Sequence, residues 1–351
     1  MHAPDRGTAL GRAATAAFVA TAGLGVWAAY DRPAAVRKFV LILAGVAVAL
    51  LLPVLARRAG RRVVAGLPVV VVPLAGVLAV LGLVGSPGHR GAIAGALAIV
   101  LPLAASGIRR GAAGSATASL ATWSAVVLGL LALALAREGA AWGALSGAAL
   151  FAVWAQGRFA RRPTPASRLA GALVVVALLA ALAVSVQGVA ATGPAASPWL
   201  PDTLRGRVAF WKAASVLAAD YAFTGAGLTS TGMALSSYVW LLHVPFTEHV
   251  HHLFLEIAVE QGAAGAVAFL LMLVTAAWVV ARRLVAPDGR RHPHHVAAGA
   301  SLVALVLYGA FESDLYGSAL VPLLFLPVGV AWMLAAASAL PGAPARRQPG
   351  P

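Results

Sequence analysis

Phe39-Val40-Leu41-Ile42-Leu43-Ala44-Gly45-Val46-Ala47-Val48-Ala49-Leu50-Leu51-Leu52-Pro53-Val54-Leu55-Ala56 runs without a single charge and ends on Arg57-Arg58. About 20 apolar residues of helix cross the hydrocarbon core of a bilayer. The stretch therefore predicts a membrane span, with its arginine-bearing end in the cytoplasm. Nine further stretches read the same way, at 13–30, 63–84, 91–108, 116–136, 139–157, 169–191, 262–281, 295–311 and 317–338. Composition agrees. The chain of 351 residues is 61% hydrophobic and 11% charged, with a mean hydropathy of +0.88. A soluble domain carries about 25% charged residues, so neither a soluble enzyme nor a disordered chain fits. Arg6 and Arg12 ahead of the first apolar run resemble a signal peptide, but no convincing cleavage site follows, and the run is expected to stay as a helix. Pro68, Pro73, Pro87 and Pro102 are expected to bend or break the helices of 63–108. Residues 253–281 are too long for one straight span. They are expected to divide into a short helix at the membrane face and a span starting near Gly262.

The net charge of +15 would suggest nucleic acid in a soluble protein. Sorted by membrane side it means something else. With the N-terminus in the cytoplasm, eighteen of the 26 basic residues fall inside and eight outside, whereas nine of the 11 acids fall outside. The excess is a topology signal, and it places both termini in the cytoplasm. No nucleic-acid partner is expected; the bilayer is. The chain has no cysteine, which removes disulfides, Cys-ligated zinc, iron–sulfur clusters and thiol nucleophiles from consideration.

The one long connection, about 192–250, falls on the outside and is rich in aromatic residues, as an interfacial segment would be. Asp202 or Thr203 can cap a helix there. Leu204, Val208, Trp211, Ser215 and Ala218 form its expected buried stripe, and Arg207 and Trp211 share a face. Gly225 and Gly227 can free backbone N–H groups for a phosphate, or simply form a turn. Glu248-His249-Val250-His251-His252-Leu253-Phe254-Leu255-Glu256 gathers three of the nine histidines. In helical register His251 and Leu255 share one face, and His249, His252, Glu256 and Glu260 another. A polar helix end, a metal site and a histidine base all fit that pattern. No His-Glu-x-x-His motif is present to favour the metal. Glu312-Ser313-Asp314, in the last outer loop, reads as a solvated acidic loop, a contact for sugar hydroxyls, or a partner for Arg137.

From about residue 130 to 280 these elements resemble, in order and in membrane side, the O-antigen ligase and O-antigen polymerase superfamily of bacterial envelope glycosyltransferases. Its pattern is a Ser-Arg-Gly-like element, two spans joined by a basic cytoplasmic loop, and a large external loop. That loop opens with Gly-Arg-x-x-x-Trp, passes through Gly-x-Gly and ends in His-Asn-x-aromatic-Leu before a Glu-x-Gly helix. Here the counterparts are Ala136-Arg137-Glu138-Gly139, Arg158 to Arg168, Gly206-Arg207 with Trp211, Gly225 and Gly227, His251-His252-Leu253-Phe254-Leu255, and Glu260-Gln261-Gly262. Ala136 and Glu138 depart from the usual flanks of the first arginine, and His252 replaces the usual Asn. Arg109 and Arg110 are rivals to Arg137, but they lie on the cytoplasmic side and one span too early.

The resemblance implies an all-α integral membrane protein of about ten transmembrane helices, with one large external loop containing short interfacial helices, a GT-C-like architecture. N-terminal helices would occupy 1–136, the family core 137–281, the last two spans 282–340, and a disordered cytoplasmic tail 341–351. It implies transfer of a glycan from a polyprenyl-pyrophosphate carrier to a glycan or lipid acceptor, at the outer face of the bacterial inner membrane. His251 would be the base, with His249 or His252 as rivals, and Arg137 and Arg207 would hold the pyrophosphate. Arginine suits that work, being always charged and bidentate toward phosphate. Arg205, Trp211, Lys212, Gly225, Gly227, His249, His252, Glu256, Glu312 and Asp314 are the expected substrate contacts. No metal or cofactor is expected, and the displacement would invert the anomeric centre. The competing expectations are a transporter of a small anion such as bicarbonate, which would need ionisable groups at mid-membrane, and a structural subunit without catalysis.

Overall fold

The computed structural model describes residues 6–107, 116–159, 204–239, 249–285 and 293–339. Helices α1 (Arg6–Ala28), α2 (Arg32–Ala59), α3 (Arg61–Val84), α4 (Arg90–Ala105), α5 (Ala116–Ala136) and α6 (Gly139–Phe159) come first. Then follow α7 (Leu204–Asp220), α8 (Thr231–Val239), α9 (Leu253–Val285), α10 (Pro293–Phe311), the single turn α11 (Asp314–Gly317) and α12 (Leu326–Ser338). No strand occurs among the described residues. Six of these helices, α1, α2, α3, α5, α9 and α10, are long and apolar enough to cross a membrane, and α4 and α12 are shorter apolar helices. The protein is an all-α integral membrane protein. The expected span at 169–191, the basic loop Arg158–Arg168 beyond Phe159, and the candidate caps Asp202 and Thr203 lie outside the described residues.

The helices pair as α1 with α9, α6 with α10, α2 with α12 and α3 with α5, around α4. Every residue of α4 from Gly91 to Leu101 is buried. Small residues make that possible, because lipid offers little drive for association and close backbone contact must supply it. Gly95, for example, lies against the ring of Tyr308, with no room for a methyl group. α3 runs unbroken through Pro68 and Pro73, and α4 through Pro102. The breaks expected there are absent.

Two departures matter for the outer face. The expected last span, 317–338, is instead a 13-residue helix preceded by a 3-10 turn, Val321–Leu324. At 1.5 Å per residue α12 covers only about 20 Å. Pro322, lacking an N–H, and Pro327 separate it from the irregular stretch above, which is buried among helices rather than exposed to lipid. α9 does divide where expected, at Gly262 with φ 74°. That conformation suits glycine alone, and a Cβ there would lie 2.6 Å from the carbonyl oxygen of Ala222. Leu253–Gln261 is thus a separate outer half-helix.

On the outside α7 packs against that half-helix and α8, burying Phe210, Ala214 and Leu217 with Leu235, Val250 and Val259. The expected stripe is corrected here. Val208 and Ser215 are exposed, because the rival stripe carries Phe210, the larger apolar group, and Ala214, which lets the backbones approach.

Candidate functional site

His251 precedes α9 in a left-handed conformation, φ 54°. Its carbonyl accepts a hydrogen bond from Trp211 Nε1 at 3.3 Å, and its neighbour Val250 is fully buried. The imidazole is therefore set by backbone held on both sides. Its Nδ1 lies 2.7 Å from Glu312 Oε1. Glu312 follows the last residue of α10 and is buried; Oε1 also accepts from Ser313 N at 3.0 Å. Its other oxygen, Oε2, lies 3.2 Å from Arg207 Nη2. Arg207 Nη1 donates to the carbonyl of Phe311 at the C-terminus of α10, where the helix dipole favours a cation. One carboxylate thus holds both the histidine and the external-loop arginine. Glu312 was expected in a solvated loop, or beside Arg137; it is buried and holds Arg207 instead.

Around this bridge sit Glu138 and Asp314. Both carboxylates converge on the backbone of Gly91, at the start of α4. Asp314 Oδ2 meets the position of an added Cβ there, and Glu138 Oε1 lies 3.6 Å from it. Burial, then the charges of Glu312 and Asp314, push the Glu138 carboxyl up to about 7. Burial and Glu312 push Asp314 up to about 6. For His251, burial presses its value down, but the hydrogen bond and charge of Glu312 more than offset it and leave it raised. For Glu312, burial works upward, and His251 and Arg207 overcome it to hold the carboxylate below its usual range.

Ligand atoms of His251, Glu312 and Asp314 lie within 4.8 Å of one another, a donor set of the kind a metal uses. Both oxygens of Glu312 are already engaged by His251 and Arg207, so the set serves ion pairing as it stands.

The other expected contacts fall into place unevenly. Arg137 lies between α5 and α6 with φ 56° and an exposed side chain. Among the described residues only Arg137, Thr229 and His251 adopt the left-handed region without being glycine. Strain of that kind, when seen, points to functional positions, and two of the three are residues the sequence marked as catalytic. His252 does not share a helix face with His249 and Glu256. It is the N-cap of α9: its Nδ1 accepts from Leu255 N at 3.2 Å, and its carbonyl from Glu256 N at 2.9 Å. Asparagine is a favoured N-cap, so the histidine replacing it does the same job. Burial lowers the His252 value, which keeps the acceptor nitrogen unprotonated. His249, before the helix, pairs with the buried Glu256 at 3.2 Å. Burial opposes its charge, and Glu256 overcomes that to raise it to about 9.

Gly225 and Gly227 serve packing. Their N–H groups donate to Tyr221 O and Glu260 O, and Ala226 N to Val259 O, so the turn has no donors left for a phosphate. Lys212 is exposed on α7. The Arg205 side chain lies outside the described part. Glu260 belongs to a second buried pair, with Lys38 Nζ at 2.7 Å, and also accepts from Thr229 N at 2.8 Å. Lys38 sits 3.6 Å above the Tyr316 ring. Gln261 bonds both Thr21 and Tyr316. The sequence reading missed Lys38 and Glu138 as site-forming residues. The signal for each was an ionisable side chain at the edge of an apolar run.

Residues 124–270 match the family model described as O-Antigen ligase (Wzy_C). The chain carries an O-antigen ligase domain. It is a multi-pass membrane protein of the O-antigen ligase and polymerase superfamily, with the glycosyltransferase-like activity that family implies. No curated protein matches the chain. The ligase domain contains Arg137, Glu138, Arg207 and His251. Glu312 and Asp314, which complete the cluster, come from beyond it.

Proposed function

We propose that the protein transfers a glycan from a polyprenyl-pyrophosphate carrier to an acceptor hydroxyl at the outer face of the bacterial inner membrane. The observation that carries this reading is the Glu312 carboxylate bridging His251 and Arg207. A displacement at the anomeric carbon needs a base on the acceptor side and cations on the leaving group. Glu312 takes the Nδ1–H of His251 and leaves Nε2 to accept the acceptor's proton, the arrangement by which a carboxylate fixes a histidine tautomer. The acceptor oxygen forms its bond to the anomeric carbon as the bond from that carbon to the phosphate oxygen breaks. The departing polyprenyl pyrophosphate takes the electron pair. Arg137, exposed at the rim, and Arg207 neutralise it. One displacement inverts the centre, and no metal enters the step. Residues 137–281 form the core of this machinery, with 312–314 added from the next outer loop and the termini on the cytoplasmic side. The transporter reading has no observation in its favour, since the buried ionisable groups at the outer end pair with one another.

Purified Arg207→Ala and His251→Ala proteins are expected to insert and fold but to lose glycan transfer by at least about a hundredfold, as for loss of a base or an oxyanion-type cation. Wild-type rates in both would sink the mechanism.

A further inference from the structure

Glu138 has no part in the displacement just described, yet its carboxyl sits among the groups that perform it. It follows Arg137 directly, but the two side chains divide. Arg137 is exposed, whereas the Glu138 carboxyl is half-buried, converges with Asp314 over Gly91, and interacts with Glu312, Arg207 and His251. The left-handed backbone at Arg137 makes that division at a single residue.

The result is a site with two electrostatic sides. Arg137 and the guanidinium of Arg207 offer the side on which a pyrophosphate can rest. Glu138 and Asp314 line the other side, where an anion would lie within a few ångströms of two carboxyls in a partly buried setting. Like charges at that range disfavour binding steeply. Hydroxyls are the natural occupants, because a carboxylate accepts their hydrogen bonds and a protonated carboxyl can also donate one. His251, between the two sides, is where an acceptor hydroxyl must arrive.

Resting on the glycosyltransferase reading, we propose that Glu138 is a specificity-determining residue of the acceptor side. Its carboxyl hydrogen-bonds a hydroxyl of a neutral acceptor sugar and rejects an acceptor that carries a carboxylate or phosphate at that position.

The test uses the full-length protein in lipid nanodiscs with polyprenyl-pyrophosphate glycan as donor. The acceptor is the glycolipid fraction of the source cells, taken before and after oxidation of its primary hydroxyls to carboxylates. Wild-type protein is expected to prefer the unoxidised acceptor by about tenfold or more in kcat/KM, a typical scale for one unfavourable charge. Glu138→Gln is expected to shrink that ratio to below about threefold, with the acceptor KM changed more than the donor KM. Glu138→Asp, which keeps the charge, is expected to retain the preference and guards against misfolding of the amide variant. Equal use of both acceptors by wild type, or an unchanged ratio in Glu138→Gln, overturns the proposal while leaving glycan transfer standing. Failure of wild type to release polyprenyl pyrophosphate with either acceptor overturns both.

Discussion

Glu312→Gln preserves the shape of the bridging side chain and removes its charge. The amide oxygen can still accept from His251 Nδ1, now 2.7 Å from Oε1, but Arg207 loses its ion pair. A hydrogen bond to a charged group is worth about 1.5–3 kcal/mol net and a neutral one about 0.5–1.5 kcal/mol. Two bonds weakened by that difference amount to roughly 2–3 kcal/mol, about 30- to 150-fold in rate if the transition state feels all of it. His251 and Arg207 side chains are only 18% and 20% exposed, so solvent screening removes little of this. The pH dependence carries the sharper signature. In the wild type Glu312 raises His251 above its ordinary 6.5. A base works unprotonated, so transfer rises with pH through that raised value. Without the charge, burial dominates and lowers it, and the rising limb moves to lower pH. The stability signs run in parallel. The His251 contribution is fully present below 6.5 and fades as pH rises through its folded value. The Glu312 contribution is present above its ordinary 4.5 and fades as pH falls through its depressed value. The assay is release of polyprenyl pyrophosphate between about pH 5 and 9, with thermal unfolding measured alongside. An unmoved acid limb, or a loss under threefold, would refute the bridge as the organiser of the site.

His252→Asn is expected to be near neutral in thermal unfolding, and His252→Ala to cost about 1 kcal/mol, the usual worth of an N-cap; equal losses in both would contradict the capping role. Lys38→Met leaves the buried Glu260 carboxylate uncompensated and is expected to cost about 3–5 kcal/mol, seen as poor yield of monodisperse protein. Adding Glu260→Gln to it should restore most of that yield. Gly225→Ala forces a methyl onto the Glu260 carbonyl, 2.6 Å from Gln261 N, at φ 71°, and is expected to cost at least about 2 kcal/mol; an unchanged unfolding temperature would show that the turn is not tight.

Local signals carried the outer architecture. The uncharged run at 39–56 and the arginines beside it read directly as α2 and its orientation, because hydrophobic length is a property of contiguous residues. The division at Gly262 was readable for the same reason: 253–281 exceeds one span. What failed was whatever depended on a partner distant in sequence. The register of α7 was misread between two apolar stripes, and only the half-helix of α9 chooses Phe210 and Ala214 over Val208 and Ser215. Glu312 was read as a solvated acid because its two partners lie 61 and 105 residues away, at His251 and Arg207. Gly225 and Gly227 offered N–H groups on paper that Tyr221 and Glu260 claim in the fold. Glu138 stood next to a residue already singled out, and it was treated as a flank because nothing local distinguishes an acid pointing outward from one pointing in.

The break at Gly262 has a mechanical consequence. Below it, Ala263 onward is a lipid-immersed rod whose tilt answers to bilayer thickness. Above it, Leu253–Gln261 is fastened by Lys38, Thr21 and Tyr316 and carries His251 on its leading end. A change of tilt in the lower rod is absorbed as rotation about one glycine instead of being passed up a continuous helix. The histidine therefore keeps its distance from Glu312 while the membrane around it thickens or thins.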